Sequence, residues 1–242
     1  MTPNSKSISN FIPISIKVFL TLVVPVLLTI FSIRLVMSYQ FFQFEYLRSD
    51  FPTDYYGFTT EDRLIYSPYA VDYLFNDQDI DFLGDLRLPL DKCFRPAPNA
   101  TDCPMYQEEA LNHMVDVKVV TQTTFAIAGI LSFIILAILG IGYRYPTYRF
   151  SIQRGLTYGG ILTLSLIIMI ITFALTAWDF FFDTFHEIFF EEGTWRFAFS
   201  DTLIRLYPER FWFDASITIG ILTTIGALII LALMWQWSKR KI

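Results

Sequence analysis

Four stretches of the chain are apolar for long enough to cross a bilayer, and the polar positions between them are sorted by the sign of their charge. Val119–Tyr143, Gly155–Trp178 and Ala215–Ser238 carry no ionisable side chain other than Tyr, and Val18–Ile33 is bracketed by Lys17 and Arg34. A hydrocarbon core about 30 Å thick takes about 20 residues of helix. The last three stretches reach that length unaided. The first reaches it once Lys17 and Arg34 extend to the two interfaces. Its apolar run is longer than the core of a signal peptide and no small-x-small cleavage site follows, so it reads as a retained helix. Pro25 at its middle predicts a kink, which membrane helices tolerate. The pattern predicts an all-α membrane protein with spans over 18–38, 119–143, 155–178 and 215–238.

Charge sets the expected topology. All 23 Asp and Glu residues fall between Glu45 and Asp116 or between Asp179 and Asp214. Lys6 and Lys17, then Arg144, Arg149 and Arg154, then Lys239, Arg240 and Lys241 occupy segments with no acid. The positive-inside rule places 1–17, 144–154 and 239–242 in the cytoplasm, so both termini are inside. Segments 39–118 and 179–214 are then extracellular. The net charge of −5 averages two unlike faces and argues against a nucleic-acid partner.

The first outer segment forms a cap of about 80 residues rich in Tyr, Phe, Asp and Pro. Short helices are predicted over Thr60–Asp72, after a helix-start pattern, and over Tyr106–Lys118. Between them Leu86–Pro104 holds four prolines and reads as loop. It also holds both cysteines, Cys93 and Cys103, which an external compartment lets pair; two free thiols are the alternative. Asn99-Ala100-Thr101 fits a glycosylation triplet, a pattern common by chance. In the second outer segment, 13 of the 35 residues of 179–213 are aromatic, with charges interleaved. That composition predicts an interfacial or re-entrant structure. It exceeds what anchoring four helices requires, so beside an ordinary aromatic belt it admits a lined pocket with Phe182, Phe189, Phe190, Trp195 and Trp212 among its walls.

The only two histidines, His113 and His186, flank spans two and three at one expected depth. On a helix Glu109 and Asp116 share a face with His113, and a carboxylate beside an imidazole raises its basicity. His186 has Phe182, Asp183, Phe189 and Phe190 as its helical neighbours. Burial among rings keeps such an imidazole neutral and able to accept a proton near pH 7. A zinc site would need Glu109 or Asp116 as a third ligand. No H-E-x-x-H pattern, Gly-x-Ser-x-Gly elbow, P-loop or dinucleotide fingerprint is present, so no metal and no cofactor is expected. Spans two to four lack Asp, Glu, Lys, Arg and His, which argues against ion transport and for chemistry at the outer surface.

The block Glu109-x-x-x-His113-Met114-x-Asp116-Val117-Lys118 resembles the first signature of a known family. Phe185-His186-x-x-Phe189, followed by Trp195, Asp201, Leu203, Leu206, Tyr207-Pro208 and Phe211-Trp212, resembles its second. The family is the four-helix bacterial integral membrane proteins that include the lipoprotein intramolecular transacylase. The resemblance implies four transmembrane helices under an extracellular cap in the bacterial cell membrane, with the active site at the cap–membrane boundary. It implies transfer of the sn-2 acyl chain of a diacylglyceryl lipoprotein to the α-amino group of its N-terminal Cys, giving the lyso form. The partners are then the lipidated lipoprotein and membrane lipid. His113 and His186 fall on the catalytic positions, with Glu109, Asp116, Asp201 and Tyr207 in support. His186 suits the base on the amine and His113 the acid on the departing glycerol oxygen; the reverse assignment stays open. Arg34 either faces the same pocket or simply snorkels. The rival classes are a non-enzymatic tetraspan for adhesion or assembly, and another lipid-modifying enzyme using the same pair. The first would have no need of the two histidines.

Overall fold

Inside a bilayer every backbone N–H and C=O has to be satisfied within its own segment, so apolar runs of this length fold as helices. The computed structural model describes residues 5–94 and 101–239, with side chains from Phe11 onward. Asn99 and Ala100 of the glycosylation triplet, and Arg240 and Lys241 of the basic tail, lie outside the described residues. In chain order the helices are α1 (Ser5–Val36), α2 (Tyr39–Tyr46), α3 (Thr60–Phe75), α4 (Asp81–Gly84), α5 (Glu108–Arg144), α6 (Arg149–Thr176), α7 (Trp178–Phe189), α8 (Thr202–Leu206) and α9 (Glu209–Lys239). Four of them, α1, α5, α6 and α9, are long and apolar enough to cross a membrane. No strand is found among the described residues; a single antiparallel bridge joins Arg87 and Pro104. α1 runs unbroken through Pro13 and Pro25. At about 1.5 Å per residue, the 37 residues of α5 exceed a 30 Å core by several turns. α5 is thus longer than one bilayer crossing requires, and His113 lies near its N-terminal end.

The chain divides into two compact units. The first holds residues 1–34, 125–175 and 217–242. Its helices approach through small residues, since lipid tails give no hydrophobic drive to association and close packing has to supply it. Gly155 and Gly159, one turn apart on α6, lie against α1: a Cβ on Gly159 would come within 2.7 Å of Val24 Cβ and 3.0 Å of the Leu20 carbonyl oxygen. Gly160 presents α6 to Leu231 of α9, whose Cγ would lie 3.0 Å from an added Cβ. Leu20, Val24, Ile152 and Leu156 form a buried cluster at the α1–α6 contact. The buried hydroxyls of Ser32 and Thr223 bond to each other at 3.0 Å, tying α1 to α9. Phe133, Leu136 and Ile168 are 66–74% exposed, a surface that suits lipid rather than water.

The second unit holds residues 35–124 and 176–216. The predicted helix over Thr60–Asp72 runs on to Phe75, and its true N-cap is Thr59, in a capping box with Asp62. The predicted helix over Tyr106–Lys118 starts at Glu108 and is the first part of α5. The proline-rich loop between them is pinned by two backbone bonds, Leu88 N–H to Cys103 O and Met105 N–H to Leu86 O, both 2.9 Å. A disulfide joins Cys93 to Cys103.

Several buried polar groups of the unit pair with one another and with backbone carbonyls. Arg63 donates to the carbonyls of Arg205 at 3.0 Å and Pro52 at 2.6 Å. Arg205 pairs with Asp54 at 3.1 Å and donates to Tyr56 O at 3.1 Å, with its guanidinium over the Phe58 ring. Tyr46 donates to Leu206 O at 2.8 Å. The fully buried carboxyl of Glu45 shares a hydrogen bond with Asp214; burial first, then Asp214, pushes its pKa up to about 7.

Candidate active site

α5 and α7 carry one histidine each, and the chain that follows α7 closes around both. His113 lies on the second turn of α5 and is 8% exposed. His186 lies on the last turn of α7. The Phe190 ring touches both imidazoles, with centroids 4.9 Å from His113 and 5.9 Å from His186. Phe197 packs against His113 at 5.5 Å. His186 has Phe182 at 4.1 Å and Trp195 stacked on it at 4.6 Å. α7 has no buried residue, and its Phe180, Phe185, Ile188 and Phe189 are exposed. It is an amphipathic helix with one largely exposed apolar face. Its other face is braced by Arg196, which pairs with Asp183 at 3.3 Å and lies over the Trp195 ring.

The proton states of the two imidazoles follow from these surroundings. His186 Nδ1 lies 2.8 Å from the Phe182 carbonyl oxygen. A carbonyl only accepts, so Nδ1 carries the hydrogen and Nε2 keeps the free lone pair. Burial lowers the pKa of His186; the Phe182 bond and the charge of Asp183 oppose the shift. His113 goes further: burial, then the neighbouring His186, pull it down to about 4. Both rings are therefore neutral near pH 7.

This corrects one sequence expectation. No carboxylate raises the basicity of His113. Its Nδ1 is buried without a hydrogen-bond partner among the described residues, and Asp116 and Glu109 are both exposed. Glu109 instead lines a cavity of about 630 Å³ with Asp201, Arg196, Phe197 and Arg205. Burial raises the pKa of Asp201, with a further contribution from Glu109; its carboxylate also caps α8 by accepting from Leu203 N–H at 2.8 Å. Among the described residues no cluster of three or more His, Cys, Asp or Glu is placed to hold a metal ion.

Residues 18–212 match the family described as "Lipoprotein intramolecular transacylase Lit". The chain belongs to the Lit family. An uncharacterized protein of Aquifex aeolicus (strain VF5) is 26% identical over 216 residues, 89% of this chain and 91% of that one. Among solved structures, Lit from Bacillus cereus superposes with a TM-score of 0.72 at 18% identity, covering 96% of this chain and 98% of that one. A histidine-to-alanine variant of the same Bacillus protein gives 0.70 at 19% identity, over 98% and 99%. At these identities the structural likeness concerns the fold: a multi-pass, all-helical membrane protein.

Within this Lit-family fold the sequence-predicted residues separate into groups. His113, His186, Phe182, Phe190 and Trp195 come together. Phe189 is exposed and packs on Phe185 and Phe190. Trp212 rests on Tyr207 and Phe211. Tyr207 is buried, and its hydroxyl donates to the Ser67 carbonyl, locking α8 to α3. That is a structural task and takes its proton out of reach. Arg34 belongs to the unit of the spans, where its side chain has an interaction of its own. Phe197 was missed by sequence reasoning, although the Trp195-Arg196-Phe197 alternation marked it. Arg205, which lines the cavity, and its buried partner Asp54 left no local signal because 151 residues separate them.

Proposed function

We propose that this protein transfers the sn-2 acyl chain of a diacylglyceryl lipoprotein to the α-amino group of the same molecule's N-terminal Cys, giving the lyso form. Family membership supports the reaction class. The observation that carries the residue assignment is the packing of two neutral imidazoles, His113 buried and His186 half-buried, around Phe190. The amine nitrogen attacks the ester carbonyl carbon and its proton passes to a base. The carbonyl electron pair moves onto oxygen, then returns as the bond to the glycerol oxygen breaks, and that oxygen takes up a proton. No electron is gained or lost, and ester to amide transfer is downhill. His186, with Nε2 free, is the base on the amine. His113, neutral and carrying one N–H, protonates the departing alkoxide and is reprotonated from His186. Holding both reacting ends against one ring-lined wall contributes up to about 7–11 kcal/mol through orientation. The histidines and the acidic segments face the outside of the bacterial cell membrane, and the termini face the cytoplasm. α7 lies in the interface with Phe180, Phe185 and Ile188 toward lipid, from which the substrate's acyl chains arrive.

Mass spectrometry of lipoprotein N-termini from cells with and without the protein tests the reaction. His113→Ala and His186→Ala should each insert normally and each lower lyso-form production about 100-fold or more. The double variant should be little worse than the worse single one. Near wild-type conversion by either single variant refutes the pair.

A further inference from the structure

Trp195 is 6% exposed, and its indole N–H is buried with no hydrogen-bond partner among the described residues. A buried donor left unpaired costs stability and calls for an explanation. The position is specific. The indole stacks on His186 with centroids 4.6 Å apart and planes 27° apart, and it reaches Phe182 at 6.2 Å. Arg196 lies over its ring and pairs with Asp183 of α7, so the indole is held against the helix that carries His186. Among the described residues two other buried polar atoms lack partners, Tyr106 Oη and His113 Nδ1. Tyr106 is set among Asp201, Tyr46 and Tyr207. The His113 ring is needed for proton transfer. Glu109 and Asp201 would repel a developing negative charge.

We propose that the Trp195 Nε1–H is the fixed donor that receives the ester carbonyl oxygen as it becomes an oxyanion. The inference rests on the acyl transfer proposed above. When the amine nitrogen bonds to the carbonyl carbon, the π pair moves onto oxygen, which accepts the indole N–H. When the C–O bond to glycerol breaks, the pair returns and the hydrogen bond weakens to that of an amide carbonyl. Indole is donor-only and does not titrate. It therefore stabilises charge without competing for the proton that His186 and His113 exchange. A preorganised donor aimed at developing charge is worth most in a site closed to water.

The test uses the full-length protein in nanodiscs with a synthetic diacylglyceryl-cysteinyl peptide, following the lyso product by mass spectrometry. Trp195→Phe keeps an aromatic ring and removes the donor. Replacement of Trp195 by benzothienylalanine keeps the bicyclic shape and stacking and changes N–H to sulfur, so it remains informative where Trp195→Phe fails to fold. The expected result is a fall in kcat of about 100-fold for the isostere, with KM within twofold and the midpoint of the pH–rate profile unmoved. An isostere within threefold of wild type overturns the assignment. So does a loss confined to KM, or a moved pH midpoint with the rate recovered at another pH, which would mean that the indole acts only by setting His186. Wild-type protein that yields no lyso product refutes the proposed reaction itself, a separate outcome.

Discussion

Phe190→Ala removes the ring that both imidazoles rest on, and its effect follows from the electrostatics. Burial holds His113 at about 4 against a reference of 6.5. At about 1.36 kcal/mol per unit, the folded protein resists that proton by about 3 kcal/mol. Phe190 supplies a large part of the apolar wall, 4.9 Å from the ring centroid. Replacing it with a methyl group admits water and should raise the pKa of His113 by about one unit or more, roughly 1.4 kcal/mol. The chain has only two histidines, so ¹⁵N-imidazole NMR of the solubilised protein from pH 4 to 8 resolves both, with His186→Gln to assign them. Wild-type His113 should stay neutral down to about pH 5. His186 should show the Nδ1–H tautomer and titrate below its usual range. A wild-type His113 that titrates at or above 6.5, or a Phe190→Ala variant that leaves it unmoved, refutes the reasoning. The same shift bears on stability. The folded state binds this proton less readily than the unfolded chain, so the His113 contribution is intact above about pH 6.5. It is lost as pH falls toward 4, up to about 3 kcal/mol.

Gly159→Ala should destabilise the protein by about 1–3 kcal/mol, because the new Cβ meets Val24 and the Leu20 backbone. Gly140→Ala, which meets nothing within 4 Å, should be neutral or slightly stabilising. Equal melting temperatures for the two in detergent contradict the close-packing account. Arg205→Met strands Asp54 in the interior and should cost about 3–5 kcal/mol. Arg87→Met, at an exposed pair, should cost under about 1 kcal/mol; denaturant titration separates them, and an Arg205 effect as small as that of Arg87 rejects the role. Replacing Cys93 and Cys103 together by Ser should lower stability by about 2–3 kcal/mol and leave activity measurable. Complete loss of activity in a folded double variant contradicts a purely structural disulfide.

The sequence by itself determined the four spans, because a hydrocarbon solvent imposes one rule on every residue of a segment and the rule shows in composition. It also determined the two candidate imidazoles, since only two histidines exist and each lies in a recognisable block. The environment of each imidazole was legible only where it is local. His186 takes its rings from Phe182, one turn before it, and from Phe190, four residues after. His113 was misjudged for the same reason. Glu109 and Asp116 share its face on an ideal helix, but Phe190 and Phe197, distant in sequence, fill the space beside it and leave both carboxylates exposed. Tyr207 read as a supporting catalytic group because its block matched, while its hydroxyl is taken by Ser67 in a distant helix. Helical spacing states which residues a side chain is able to meet. Which ones it does meet, and so whether an imidazole gains a carboxylate or loses its water, depends on the elements packed against that face, and the tertiary structure alone decided that.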